Sequence, residues 1–236
     1  MTQDILSTGY QVYYIVIPTI SLIGNSAIVY VTVRSRSLRS PCNILIGLES
    51  LGELFHMLSH YVMVASHNVI ENHLMRQDLC GYWQMFPIMG LCFASILLLS
   101  IAFDRLISTQ TFYSSLIKAH YFLYISAHIG PLVAAVVTME AMVFSTNERD
   151  LYVLCSVTAP MSDKSRTTMF LVLFPIFILV LVCYLLLVIL LKKTRLSQDS
   201  SKQIYKSVAV ISVTMVLGYF SAATITVFDI IFDLNV

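Results

Sequence analysis

Six stretches of largely apolar sequence, at about residues 10–33, 42–66, 84–108, 121–144, 168–191 and 205–232, are each long enough to cross a bilayer as a helix. A helix needs about 20 such residues to rise through ~30 Å of hydrocarbon. Six of them in 236 residues leave room for little except short connections. The chain is 58% hydrophobic and only 11% charged, whereas a soluble domain carries roughly 25% charged residues. Fourteen basic and 13 acidic side chains cannot form the polar skin that a core of this size needs in water. Soluble enzymes and nucleic-acid binders are therefore poor candidates. Five cysteines are too few for a secreted domain built on disulfides. No window shows the ten-residue alternation of a β-barrel strand. The first window has no basic leader or small-residue cleavage site, so it reads as an uncleaved span. The expected fold is an all-α membrane protein, one helical-bundle domain over residues 1–236.

Basic residues set the orientation, because positive loops stay cytoplasmic. With the N-terminus outside, ten fall in inner segments: Arg34, Arg36, Arg39, Arg105, Lys118, Lys192, Lys193, Arg195, Lys202 and Lys206. Only Arg76, Arg149, Lys164 and Arg166 fall outside. The outer segments also hold Glu71, Asp78, Glu148, Asp150 and Asp163. An extracellular N-terminus follows, and six spans would return the C-terminus to the same side.

This topology puts Cys80 and Cys155 on the oxidising side. The two either bridge, closing a loop of about 75 residues worth ~4 kcal/mol in the chain-entropy model, or stand as two free thiols. Cys92 and Cys183 fall inside spans and read as small packing residues, while Cys42 faces the reducing side. Polar residues within the spans are costly unless partnered. Asn25 and Glu53 can face each other across the first two helices, with Glu49 one turn from Glu53. That acid either belongs to a polar network or simply holds helices together. His56 and His60 have a spacing compatible with metal ligation but lack a third ligand, so helix packing is the expected role and no metal is assigned. At the inner end of the third window stands Asp104-Arg105, 25 residues after Cys80, or one membrane crossing. The pair is either a snorkelling anchor or an ion pair that a cytoplasmic partner can break.

Taken together these residues resemble a rhodopsin-like G-protein-coupled receptor. The first span carries Gly24-Asn25-Ser26-Ala27-Ile28-Val29, similar to the family's glycine-asparagine signature. The second begins with Asn43 and has an acid ten residues later at Glu53. Cys80 and Asp104-Arg105 have the family spacing in the third, and Pro175 sits in the middle of the fifth. Ser40-Pro41-Cys42-Asn43-Ile44-Leu45-Ile46, with Gly218-Tyr219-Phe220 in the sixth span, resembles nematode chemosensory serpentine receptors of the srsx type. The resemblance implies a chemosensory receptor in a rhodopsin-like bundle, with six of the usual seven helices in this chain. It implies as partners a small-molecule or peptide ligand outside, a heterotrimeric G protein at Asp104 and Arg105 inside, and the lipid bilayer around it. It implies no cofactor. The family's ligand pocket lies among the outer halves of the third, fifth and sixth spans, which here contribute Phe86, Pro87, Ile88, Leu91, Phe170, Tyr219, Thr224 and Phe228. Pro87 takes the position where amine receptors carry an acid, so a biogenic amine is disfavoured and the pocket reads as mainly apolar.

The sequence also departs from the family. Glu53 replaces aspartate, Leu106 follows Arg105 where many members have tyrosine, and the fourth span lacks a tryptophan. The sixth lacks a proline, with Tyr219 in place of a tryptophan. No seventh span with an asparagine-proline-tyrosine motif follows before Val236. One alternative reading is thus a truncated, non-signalling product that retains or modulates full-length receptors. Another is a six-span transporter, disfavoured because no inverted repeat or pore-lining charge ring is present. No nucleophile–base pair or metal triad supports an enzyme. A multi-pass protein of the plasma membrane, if exported, is the expected location.

Overall fold

A computed structural model of the chain describes residues 6–36, 40–109 and 151–193, together with individual residues between 113 and 141. Four long helices carry these residues: α1 (Thr8–Arg34), α2 (Pro41–Val69), α3 (Gln77–Ile107) and α4 (Asp163–Lys193). Two short strands, β1 (Met75–Arg76) and β2 (Tyr152–Val153), pair antiparallel, with Met75 opposite Val153 and Arg76 opposite Tyr152. The scattered residues between 113 and 141 that lie in helix fall in and before the window 121–144, while the window 205–232 lies outside the described residues. Among the described helices α1, α3 and most of α4 are long and apolar enough to cross a membrane. At 29 residues α2 has the length, but Glu49, Glu53, His56, His60 and His67 lower its apolarity.

Local chemistry sets the helix starts. Ser40 accepts from the Asn43 backbone N–H at 3.4 Å and Pro41 follows in the first turn, where a missing N–H costs nothing. The Ser162 hydroxyl accepts from the Ser165 N–H at 3.3 Å ahead of α4. The helix α3 begins at Gln77, before the apolar window at 84, because Gln77 and Asp78 in its first turn lower an apolar count.

The chain falls into two compact units, Met1–Ala94 with Pro131–Arg166 and Ser95–Gly130 with Thr167–Val236. In the first unit α1 and α2 lie antiparallel. Asn68 donates to Gln11 at 2.9 Å, Tyr14 stacks on His60 at 5.4 Å, and the Thr19 and Tyr61 hydroxyls are 2.6 Å apart. Near the other end of the pair, Gly47 sits against the Thr32 side chain. The tightest crossing joins α2 to α3. A Cβ built on Gly90 would stand 2.5 Å from the Gly52 carbonyl oxygen and 2.6 Å from the His56 nitrogen, both backbone atoms. Small residues permit this approach, which is how membrane helices gain contact without a hydrophobic driving force between them. In the second unit the buried side chains include Leu97, Leu98, Ile101 and Ala102 of α3 and Phe177, Val180 and Leu187 of α4.

On α2 the buried face is partly polar and the exposed face apolar. On α2 the buried residues include Glu49, Ser50, Glu53, Ser59, Ser66 and His67, while Leu51, Leu58 and Val69 are exposed. On α1, Ile20, Ile23 and Val33 are 63–69% exposed. Water would penalise such a surface heavily, whereas a lipid bilayer solvates it.

Candidate functional site

The end of the first unit at which α3 begins is built around the disulfide between Cys80 and Cys155, whose Cα atoms are 5.5 Å apart. Both cysteines are buried. Three further ties hold the same loop to α3. The β1–β2 pairing is the first. The second is Gln77, whose side-chain amide donates to the Ala159 and Met161 carbonyls at 3.1 and 3.4 Å while its backbone N–H donates to Leu151. The third is Gln84, fully buried, which donates to the Cys155 carbonyl at 2.9 Å and to the Ser59 carbonyl of α2 at 3.3 Å. At the turn before β1, His73 takes a left-handed φ of 59° and stacks on His67 at 4.3 Å. Arg76 hydrogen-bonds Asp78 at 2.6 and 3.1 Å, ahead of the apolar window, and holds that carboxyl below its usual range.

The expected ligand-pocket residues divide between the units. Pro87, Ile88 and Leu91 of α3 are buried in the first. Phe86 is half exposed and stacks on Phe55 of α2 at 6.2 Å. Phe170 is half-buried and belongs to the second unit. Tyr219, Thr224 and Phe228 lie outside the described residues. In the polar layer Asn25 and Glu53 are both buried. The Asn25 amide donates to Ser21 of its own helix at 3.1 Å, and a Glu53 oxygen lies 3.6 Å from His56 Nδ1. The His56 and His60 rings are 6.2 Å apart, and among the described residues no three His, Cys, Asp or Glu side chains are placed to hold a metal ion.

The C-terminal end of α3 belongs to the second unit. Asp104 is fully buried and Arg105 half-buried. One carboxylate oxygen, Asp104 Oδ1, accepts two phenolic hydrogen bonds, from Tyr113 and Tyr124, each 2.8 Å long. The two rings meet edge to face at 6.2 Å, and the Tyr124 ring stands edge to face with the His128 ring at 4.7 Å. A buried carboxylate needs such donors, since desolvation without them is expensive.

Sequence reasoning missed several of these residues. Gln84 was detectable as a lone amide in an apolar window. Gly90 and Gly52 were detectable only as small residues, without a hint that they meet. Nothing in the spacing of Tyr113 and Tyr124 ties them to Asp104, because the contact joins segments nine and twenty residues away in sequence.

The family model for serpentine type 7TM GPCR chemoreceptor Srsx matches residues 18–235 of the chain. No curated protein sequence matches it.

Proposed function

The chain belongs to the serpentine type 7TM GPCR chemoreceptor family Srsx, and from that premise we propose that it is a chemosensory receptor of the plasma membrane that detects an extracellular ligand and activates a heterotrimeric G protein. The observation that carries the proposal is the family match over nearly the whole chain. Two features of the chain support it. The outer loop is tied to α3 at Cys80, and 25 residues further along the same helix Asp104 and Arg105 occupy its opposite end. With the N-terminus outside, the first end meets the ligand and the second the G protein.

Ligand binding acts by shifting a population. A ligand favours the signalling state only as far as it binds that state more tightly than the resting one. Asp104 and Arg105 are assigned to the coupling step. Asn25 and Glu53 form the polar layer between the two ends, and the buried apolar residues Ile88 and Leu91 belong to the ligand side. Small apolar odorants or peptides with apolar contact residues are the ligand class that suits such side chains.

The test is nucleotide exchange on a heterotrimeric G protein, measured with the full chain in membranes under a panel of volatile and peptide ligands. An active ligand should raise exchange in the wild type and fail to do so in Arg105→Ala at equal surface level. Undiminished ligand-dependent exchange in Arg105→Ala would remove that residue from the mechanism.

A further inference from the structure

We propose that the groove between the C-terminal part of α1 and the first two turns of α2 holds one anionic phospholipid, with its hydrocarbon chain in the groove and its headgroup on Arg34 and Arg36. The inference rests on the receptor reading above, which puts this end of both helices on the cytoplasmic side, where a membrane concentrates its anionic lipids. The groove has a volume of about 380 Å³ and is lined by Ala27, Ile28, Val31 and Thr32 of α1 and by Asn43 and Ile46 of α2. Four of these six side chains carry only hydrocarbon. Ile28 and Val31 are 40% and 46% exposed, so the groove opens at the surface of the first unit. The two helices touch at Thr32 and Gly47, and the groove lies beside that contact.

The charge at its end has one sign. Ala27, Val31 and Arg34 stand at i, i+4 and i+7, which is one stripe of α1, so Arg34 continues the wall of the groove by one turn. Arg36 follows two residues later, and both arginines are exposed. Among the described residues neither pairs with an acid. From Arg34 to Leu48 the sequence holds three arginines and no acid. A guanidinium fork grips phosphate or carboxylate through two parallel hydrogen bonds, and a serine phospholipid headgroup offers one of each. Arg34 stands about 10 Å along the axis from Ala27, so a lipid held there by its headgroup lays the first part of its chain along the apolar wall. Asn43, in the first turn of α2, brings an amide into the same groove that can donate to an ester carbonyl. An anchor made of positive charge alone would use the arginines and leave the groove idle, and that difference decides the test.

The experiment titrates the full chain, purified in a neutral detergent, with phosphatidylserine or with phosphatidylcholine of the same chains, and counts bound lipid by native mass spectrometry. One phosphatidylserine should be retained in preference to phosphatidylcholine. Arg34→Gln and Arg36→Gln should each weaken it about fivefold and the double variant about 30-fold, from the worth of one basic residue at an anionic surface. Ala27→Phe and Val31→Trp add bulk at exposed groove positions without changing charge, and each should weaken it about tenfold by displacing buried chain. Lys192→Gln/Lys193→Gln, at the end of α4, should leave it within about twofold. A wild type that holds both lipids equally overturns the site. So do groove-filling variants that bind like the wild type, or a loss on Lys192→Gln/Lys193→Gln equal to the arginine loss, since both mark an anchor of charge alone. Glycerophosphoserine, the headgroup without chains, should fail to compete at matched concentration, and equal competition would assign the arginines to a free phosphate and overturn the lipid groove. If phosphatidylserine is held as expected while no ligand raises nucleotide exchange with any G protein, the receptor reading fails and the lipid site stands.

Discussion

Replacing Gly90 by alanine should be among the most damaging single-methyl changes available in the described helices. The added Cβ would stand 2.5 Å from Gly52 O, 2.6 Å from His56 N and 2.7 Å from the Phe55 Cβ. The first two are backbone atoms, so no side chain can rotate away and α2 and α3 must part instead. Restoring an ordinary contact of 3.4 Å requires a local separation of about 0.9 Å. A gap of that order forfeits a quarter to a half of the dispersion energy of each atom pair it opens. Overpacking of a close contact costs ~1–3 kcal/mol. Taking ~2 kcal/mol, the folding equilibrium falls about 30-fold, and the unfolding temperature of a chain this size should drop by about 4–8 °C. The assay is thermal unfolding of the purified chain in detergent or nanodiscs, followed by thiol exposure of the buried cysteines Cys92 and Cys183. Gly24→Ala supplies the control, since a Cβ there meets nothing within 4 Å. That variant should be neutral or slightly stabilised, because alanine is the better helix former. If Gly90→Ala melts with the wild type, or Gly24→Ala loses as much as Gly90→Ala, the close-crossing argument is wrong.

The other contacts make equally direct predictions. The double variant Cys80→Ser/Cys155→Ser gives up a loop closure worth at most ~4 kcal/mol. Since Gln77, Gln84 and the strand pairing still tie the loop, it should fold with a lowered unfolding temperature, and complete loss of folded protein would show those ties to be negligible. A non-reduced digest of the wild type should yield the Cys80–Cys155 cross-linked peptide. Gln84→Leu leaves the Cys155 and Ser59 carbonyls without their amide donor, at a cost of ~1–3 kcal/mol. Gln84→Met, which keeps the side-chain length without a donor, should be no better, and wild-type stability in either variant would refute the strap.

The membrane character of the chain was legible in its sequence because apolar length is a local property that no tertiary contact can hide. The Cys80–Cys155 bridge was half-legible: topology put both thiols on one side, but only the fold brings their Cα atoms within bridging reach. Polar residues were the weaker guide. Asn25 and Glu53 read as residues able to face each other across the first two helices; both are buried, and the Asn25 amide donates to Ser21 within its own helix, since a short side chain in a helix finds an acceptor one turn away at little entropic cost. The Asp104 contacts were illegible for the opposite reason. They join residues nine and twenty positions apart in sequence, a separation that carries no periodic signal. The helix crossing at Gly90 was illegible too, because which of several small residues meets a neighbour depends on the phase of both helices.

The two attachments in the N-terminal half of α3 have a mechanical consequence. The helix is fixed at Cys80 by a covalent bond and at Gly90 by a backbone-to-backbone crossing, points about 15 Å apart along its axis. A rod held at two levels can neither slide like a piston nor spin about its axis without breaking one of them. The same geometry fixes its phase: one residue inserted between Cys80 and Gly90 would turn everything below by about 100°, so the two attachments could not both be kept.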